Sequence, residues 1–70
     1  MEAKTQVGAN IKARRTQLGI TQEEAAHRAG LHPVELGRAE RGTRDLRIST
    51  LAKIARGLNI PPARLLDGIQ

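Results

Sequence analysis

Apolar residues recur along this chain at helical spacing and never alternate as in a strand. Val7, Ile11 and Leu18, with Ala3 and Arg14/Arg15 on the intermediate turns, follow the helical period over residues 3–18, and Gly19 stops that first helix. The run Thr21-Gln22-Glu23-Glu24 predicts a capping box, in which the Thr21 hydroxyl accepts from the backbone at Glu24 while the Glu24 carboxylate reaches back to Thr21. A second helix starts there and ends before Gly30. Pro33 suits the first turn of a third helix, with His32 as a weak N-cap, and Leu36, Ala39 and Glu40 carry that helix to Gly42. From Gly42 to Arg47 the chain has no periodicity and reads as a loop. Ile48, Leu51, Ile54, Ala55 and Leu58 mark a fourth helix closed by Asn59, and Pro61-Pro62 opens a last short one through Leu65 and Leu66. The expectation is an all-α domain of five helices, with no strand, no internal repeat and no low-complexity linker.

Composition narrows what such a domain does. Seventy residues make one small domain, residues 1–70, with a marginal core. Twelve Lys+Arg against seven Asp+Glu give a net charge of +5, which points to an anionic partner, nucleic acid first. Phe, Tyr and Trp are absent, so the platforms on which single-stranded bases stack are missing, and duplex DNA becomes the expected form. With no cysteine there is neither a disulfide framework nor a thiolate metal site, as suits a reducing compartment. No apolar run approaches a membrane span and the first eight residues lack the apolar stretch of a signal peptide. The expected location is cytoplasmic, on the nucleoid of a bacterium or in a phage-infected cell.

The segment Gln22 to Arg41, QEEAAHRAGLHPVELGRAER, carries the most information. Small or apolar residues (Ala25, Ala26, Ala29, Leu31, Leu36, Ala39) fall where two short helices face each other or the core, and Gly30 occupies the turn, where a positive φ is cheapest. Together with Ile11, Arg15 and Leu18-Gly19 before it, and ERG at 40–42 and LAKIARGLNIPPARLL after it, this pattern resembles the lambda-repressor-like helix-turn-helix family of Cro and phage-repressor type over about residues 7–67. Within that family it looks most like controller proteins of restriction-modification systems and related short bacterial regulators. The chain departs from the family's pattern in several places. Val34 and Glu35 stand where polar or aromatic base readers are frequent, Gly37 interrupts the third helix at a cost of about 1 kcal/mol, Ala39 replaces a larger aliphatic, and Arg47 stands where Ser often caps the fourth helix.

The resemblance implies a helix-turn-helix over about residues 22–41 and a candidate DNA face comprising Thr21, Gln22, His32, Pro33, Val34, Glu35, Arg38, Arg41, Thr43, Arg44 and Arg47. Gln22 corresponds to a phosphate contact at a helix N-terminus. His32, Val34, Glu35 and Arg38 fall on the outward face of the third helix, and a guanidinium such as that of Arg38 is able to bond guanine O6 and N7 together. Glu35 either accepts from cytosine or orients a neighbouring arginine. Arg41, Thr43, Arg44 and Arg47 surround a loop that in the family follows the phosphate backbone. Arg15 and Glu40 correspond to an ion pair between the first and third helices. Leu58, Ile60, Leu65, Leu66 and Ile69, in a tail over about residues 58–70, resemble the dimer surface of the short regulators.

Enzymatic chemistry is not expected. His27 and His32 do not share a face, Ser49 is the only serine and stands in no nucleophile motif, and the glycines form no phosphate-cradling loop. No metal, cofactor or small-molecule ligand is implied. The expected function is sequence-specific regulation of transcription by a homodimer on a two-fold-related operator. The alternatives are an antitoxin-type interaction protein that represses its own operon, or the DNA-binding module of a longer regulator.

Overall fold

The structure is a computed structural model describing residues 2–70. Four α-helices, α1 (Ala3–Gln17), α2 (Gln22–Ala29), α3 (Pro33–Arg41) and α4 (Ile48–Gly57), precede a closing 3-10 turn, Pro62–Leu66. The fold is all-helical, and its fifth element is a 3-10 turn where an α-helix was expected. Pro61 and Pro62 offer no N–H, and the five-residue segment closes with short-range bonds from Arg64 N to Pro61 O at 3.0 Å and from Asp67 N to Arg64 O at 3.3 Å.

Local chemistry sets the helix boundaries. Thr21 caps α2, its hydroxyl accepting from Glu24 N at 3.1 Å, but the expected reciprocal bond is replaced: the Glu24 carboxylate instead accepts from Arg28 Nε at 3.2 Å, one turn on. The complete capping box lies at α3. There His32 Nδ1 accepts from Val34 N at 3.1 Å and Glu35 Oε1 accepts from His32 N at 3.2 Å. Gly30 turns the chain from α2 towards α3 at φ 71°, in the left-handed region that costs glycine least. Asn59 closes α4 at φ 54°.

The core comprises Val7, Ile11, Ala25, Ala26, Ala29, Leu36, Ala39, Ile54, Ala55, Leu58 and Leu65, bordered by Leu18, Ile20, Leu31, Leu46, Leu51 and Ile60. Five of its eleven members are alanines, so the helices must approach closely to exclude water. Gly8 makes this possible between α1 and α3, since a Cβ there would lie 2.5 Å from Ala39 O. The small side chain of Ala39 is thus compensated by a backbone moved inward, and Gly57 lets α4 approach α2 in the same way, with a Cβ position 2.8 Å from Ala29 N.

Two expectations, one about the apolar tail and one about α4, are corrected. Leu58 and Leu65 are each 1% exposed and complete this chain's own core, which leaves them no surface for a partner. Ile48, expected on the buried stripe of α4, is 86% exposed, because it stands on the first turn, beyond the elements that cover the rest of the helix. The tail is tied down by α1: Asn10 Nδ2 donates to Leu65 O at 2.9 Å and Asp67 O at 2.8 Å, while Arg14 donates to Leu58 O at 3.0 Å and Asn59 O at 3.1 Å.

Candidate nucleic-acid interface

The base of α3 is fixed by a three-member polar network. Arg15 on α1 forms a bidentate pair with Glu40, Nε to Oε2 at 2.6 Å and Nη2 to Oε1 at 3.1 Å, and its Nη1 donates to Ile20 O at 2.9 Å. The Glu40 side chain is 3% exposed and that of Arg15 16%. The hydrogen bond to Glu40, opposed by desolvation and reinforced by the charge of the carboxylate, raises the Arg15 guanidinium above its ordinary pKa. Gln22 Nε2 donates to Glu40 Oε1 at 3.0 Å, so the first residue of α2 joins the same carboxylate. A fork of this kind sets both distance and angle between the helices it joins.

With Leu36, Ala39 and Glu40 turned inward, Val34, Arg38 and Arg41 share the outward side of α3. A cleft flanks that ridge on each side. One, of about 370 Å³, is lined by Glu35, Arg38, Arg44, Asp45, Arg47 and Thr50, where α3, the following loop and the start of α4 meet. The other, of about 570 Å³, lies between the start of α2 and α3, with Thr21, Gln22, Pro33, Val34, Gly37 and Arg41 among its walls. Both are open grooves beside a projecting helix.

The arginines of this face carry, among the described residues, no carboxylate partner, a state they share with Lys12, Arg14, Lys53 and Arg56. Lys4, Arg15, Arg28 and Arg64 each lie within ion-pair distance of a carboxylate. Among the described residues, Arg38, Arg41, Arg44 and Arg47 have no such partner, and all four are exposed. Two helix N-termini border the same face. Gln22 is the first residue of α2, and α4 begins after Arg47, whose side chain accepts no bond from the first turn. The positive ends of both helices therefore add to the field of the arginines.

The structure thus brings Thr21, Gln22, Pro33, Val34, Arg38 and Arg41 together along α3, and Arg44 and Arg47 together across the other cleft. Thr43 turns back on the helix, its hydroxyl donating to Arg38 O at 3.3 Å. His32 and Glu35, expected as outward readers, are bonded to each other's neighbourhood as the cap of α3. Glu35 holds the helix start and does not pair with an arginine within 4 Å. Of the tail residues, Ile60 is half-buried against the core, whereas Leu66 and Ile69 stay 46% and 37% exposed.

Sequence reasoning missed Thr50, which faces the arginine cleft one turn after Arg47, and the open position at Gly37. Thr50 was findable from the start of α4, since a hydroxyl in a first turn reaches the region of the free N–H groups. No helix among the described residues is long and apolar enough to cross a membrane, and no three acidic or histidine residues among them form a metal cluster.

Comparison with known proteins agrees with this geometry. Residues 11–65 match the helix-turn-helix family. The control protein C.SmaI of Serratia marcescens is 33% identical over 66 residues, which cover 94% of this chain and 79% of that protein. The HTH-type transcriptional regulator y4dJ of Sinorhizobium fredii is also 33% identical, over 94% of this chain and 86% of its own length. The crystal structure of the restriction-modification controller protein C.AhdI from Aeromonas hydrophila superposes with a TM-score of 0.85 at 32% identity, covering 89% of this chain and 94% of the other. A basic ridge held on an α2–α3 scaffold, and relatives named as controllers and regulators across nearly the whole chain, lead to one conclusion: the chain belongs to the helix-turn-helix family and is a DNA-binding regulator of transcription, not an enzyme.

Proposed function

We propose that this regulator binds a specific duplex operator as a homodimer, placing α3 of each copy in the major groove of one half-site. The observation that carries this reading is the set of four carboxylate-free arginines, Arg38, Arg41, Arg44 and Arg47, ranged along one helix and the loop after it. Exposed guanidiniums of one sign repel each other unless an anion lies between them, and a phosphate backbone supplies anions at regular spacing. Arg38, central on the ridge, meets base edges; Gln22, Arg44, Arg47 and the start of α4 hold phosphates on either side.

A nine-residue helix reads only a few base pairs, and a two-fold pair of such helices doubles the site. The surface that supports pairing borders the arginine cleft, with which it shares Asp45 and Leu46. Leu66 and Ile69 are exposed at a groove of about 290 Å³ walled by Val7, Leu46 and Leu51 and edged by Lys4 and Asp45, Ile48 is a further exposed apolar residue at the start of α4, and a second copy of this chain is an occupant of matching character. The relatives named as control and controller proteins support a role in controlling transcription of this short, single-module kind.

Selection of bound sites from random duplex DNA tests the reading. The expected product is one enriched motif present as two inverted half-sites, with centres about 34 Å apart along the DNA. Recovery of sequences without a shared motif would leave only non-specific electrostatic binding.

A further inference from the structure

Val34 is an exposed β-branched residue on a DNA-reading helix. It is 50% exposed, takes no part in the core, and stands at the second position of α3, next to the Pro33 ring. Helix propensity does not explain its presence there, since valine is a poorer helix former than most residues of its size. One turn further on, Gly37 leaves an opening. A Cβ at that position would lie 3.3 Å from Arg41 Nη1 and 3.7 Å from Gln22 Oε1, so the absent side chain keeps the floor of the α2–α3 cleft clear between two polar groups. The result is an apolar wall, Val34 and Pro33, over the Gly37 backbone as floor within the α2–α3 cleft, whose rim carries Thr21, Gln22 and the charged Arg15, Glu23 and Arg41.

We propose that this recess reads the 5-methyl group of a pyrimidine, that of thymine in ordinary DNA, with Val34 as the specificity-determining residue. The inference rests on the placement of α3 in the major groove. In that groove guanine shows two acceptors, adenine an acceptor and a donor, and cytosine a donor; the only apolar group on a base edge is the pyrimidine 5-methyl. An isopropyl group pressed against any other edge strips water from a polar atom and offers nothing in return, whereas against a methyl it removes apolar surface from water on both sides. Gln22 and Arg41 lie where the phosphates flanking that base would pass, so backbone contact and methyl contact reinforce one register.

The test uses the full chain and a duplex recovered by selection. Each thymine is replaced in turn by deoxyuridine, which removes the methyl and leaves the pairing edge unchanged; in a second series each cytosine is replaced by 5-methylcytosine. Wild-type protein is expected to lose about fourfold in affinity at one thymine per half-site, the worth of one buried methyl. A gain of that size at one cytosine position would also support the recess and would identify methylated cytosine as a second source of the group. Val34→Ala is expected to melt no lower than wild type and to bind the thymine and deoxyuridine duplexes equally well. Retention of the wild-type methyl effect in Val34→Ala, or no position at which a methyl matters, overturns the assignment while operator binding stands. Failure of wild-type protein to prefer any duplex overturns the reading on which it rests, and this assignment with it.

Discussion

Glu40 is the residue on which the geometry of the DNA face depends. Its nearly buried carboxylate accepts from Arg15 Nε and Nη2 and from Gln22 Nε2, joining α1, α2 and α3 at one point. A buried charge is tolerated only while its partners remain, so removal of either member of the pair is costly. The two losses are unequal. Arg15→Ala leaves a carboxylate 3% exposed with only Gln22 to answer it, and is expected to cost about 3–5 kcal/mol; Glu40→Ala leaves a guanidinium 16% exposed that keeps its bond to Ile20 O, and is expected to cost less. Thermal melts of both variants and the double mutant check this, and a coupling energy near zero would mean that the pair contributes nothing as a pair. Because Arg15 is raised above its ordinary pKa, its share of the stability is fully present below that ordinary value and is lost only as pH rises through the still higher folded-state value. Arg15 therefore adds no pH dependence to stability in the neutral range.

At the scale of elements, three glycines in helices predict two different behaviours. A methyl at Gly8 would meet the Ala39 carbonyl at 2.5 Å, with backbone on both sides and nothing able to yield. Gly8→Ala is accordingly expected to cost at least about 2 kcal/mol, and Gly57→Ala, 2.8 Å from Ala29 N, to destabilise in the same way. Gly37→Ala meets only the end of the exposed Arg41 side chain, so it is expected to gain up to about 1 kcal/mol from helix propensity while weakening DNA binding by closing the recess. Melting temperatures and binding isotherms of the three variants separate these effects. The helix boundaries were legible because Thr21, Pro33, Gly30, Gly42 and Asn59 act within a few residues of themselves. Close approach at Gly8 and Gly57 was not legible, since the carbonyl or amide each would strike lies more than twenty residues away in sequence. Glu35 shows a related limit: its spacing from His32 signals a cap as well as an outward position, and in the structure its exposed carboxylate closes the cap of α3.

Over the whole molecule, the arginine cleft and the apolar groove lie side by side and share Asp45 and Leu46 as their border. Four exposed arginines without a carboxylate partner among the described residues, Arg38, Arg41, Arg44 and Arg47, gather at α3 and the loop after it, while Leu66 and Ile69 border a groove where α1, the loop before α4, α4 and the C-terminal segment meet. The sequence suggested an apolar tail for pairing, yet burial decides which members remain available, and nothing local distinguishes Leu65, at 1%, from Leu66, at 46%. Ile48→Glu is expected to shift the protein towards monomer in sedimentation without lowering its melting temperature by more than a few degrees, because the residue is 86% exposed and packs on nothing in its own chain. Unchanged sedimentation would remove Ile48 from the dimer surface.

The central claim, that α3 reads bases while its flanks hold phosphates, is tested most directly by binding titrations of wild type, Arg38→Ala and Arg44→Ala. Each would be measured on the selected duplex and its single-base variants at two salt concentrations. Arg44→Ala is expected to weaken binding to all duplexes alike and to lower the salt slope by about one unit. Arg38→Ala is expected to cost about 1–3 kcal/mol on the selected duplex and to relax preference at one position per half-site. An equal loss on every duplex for Arg38→Ala would contradict the account, making Arg38 a phosphate contact and leaving the ridge of α3 without its proposed reader.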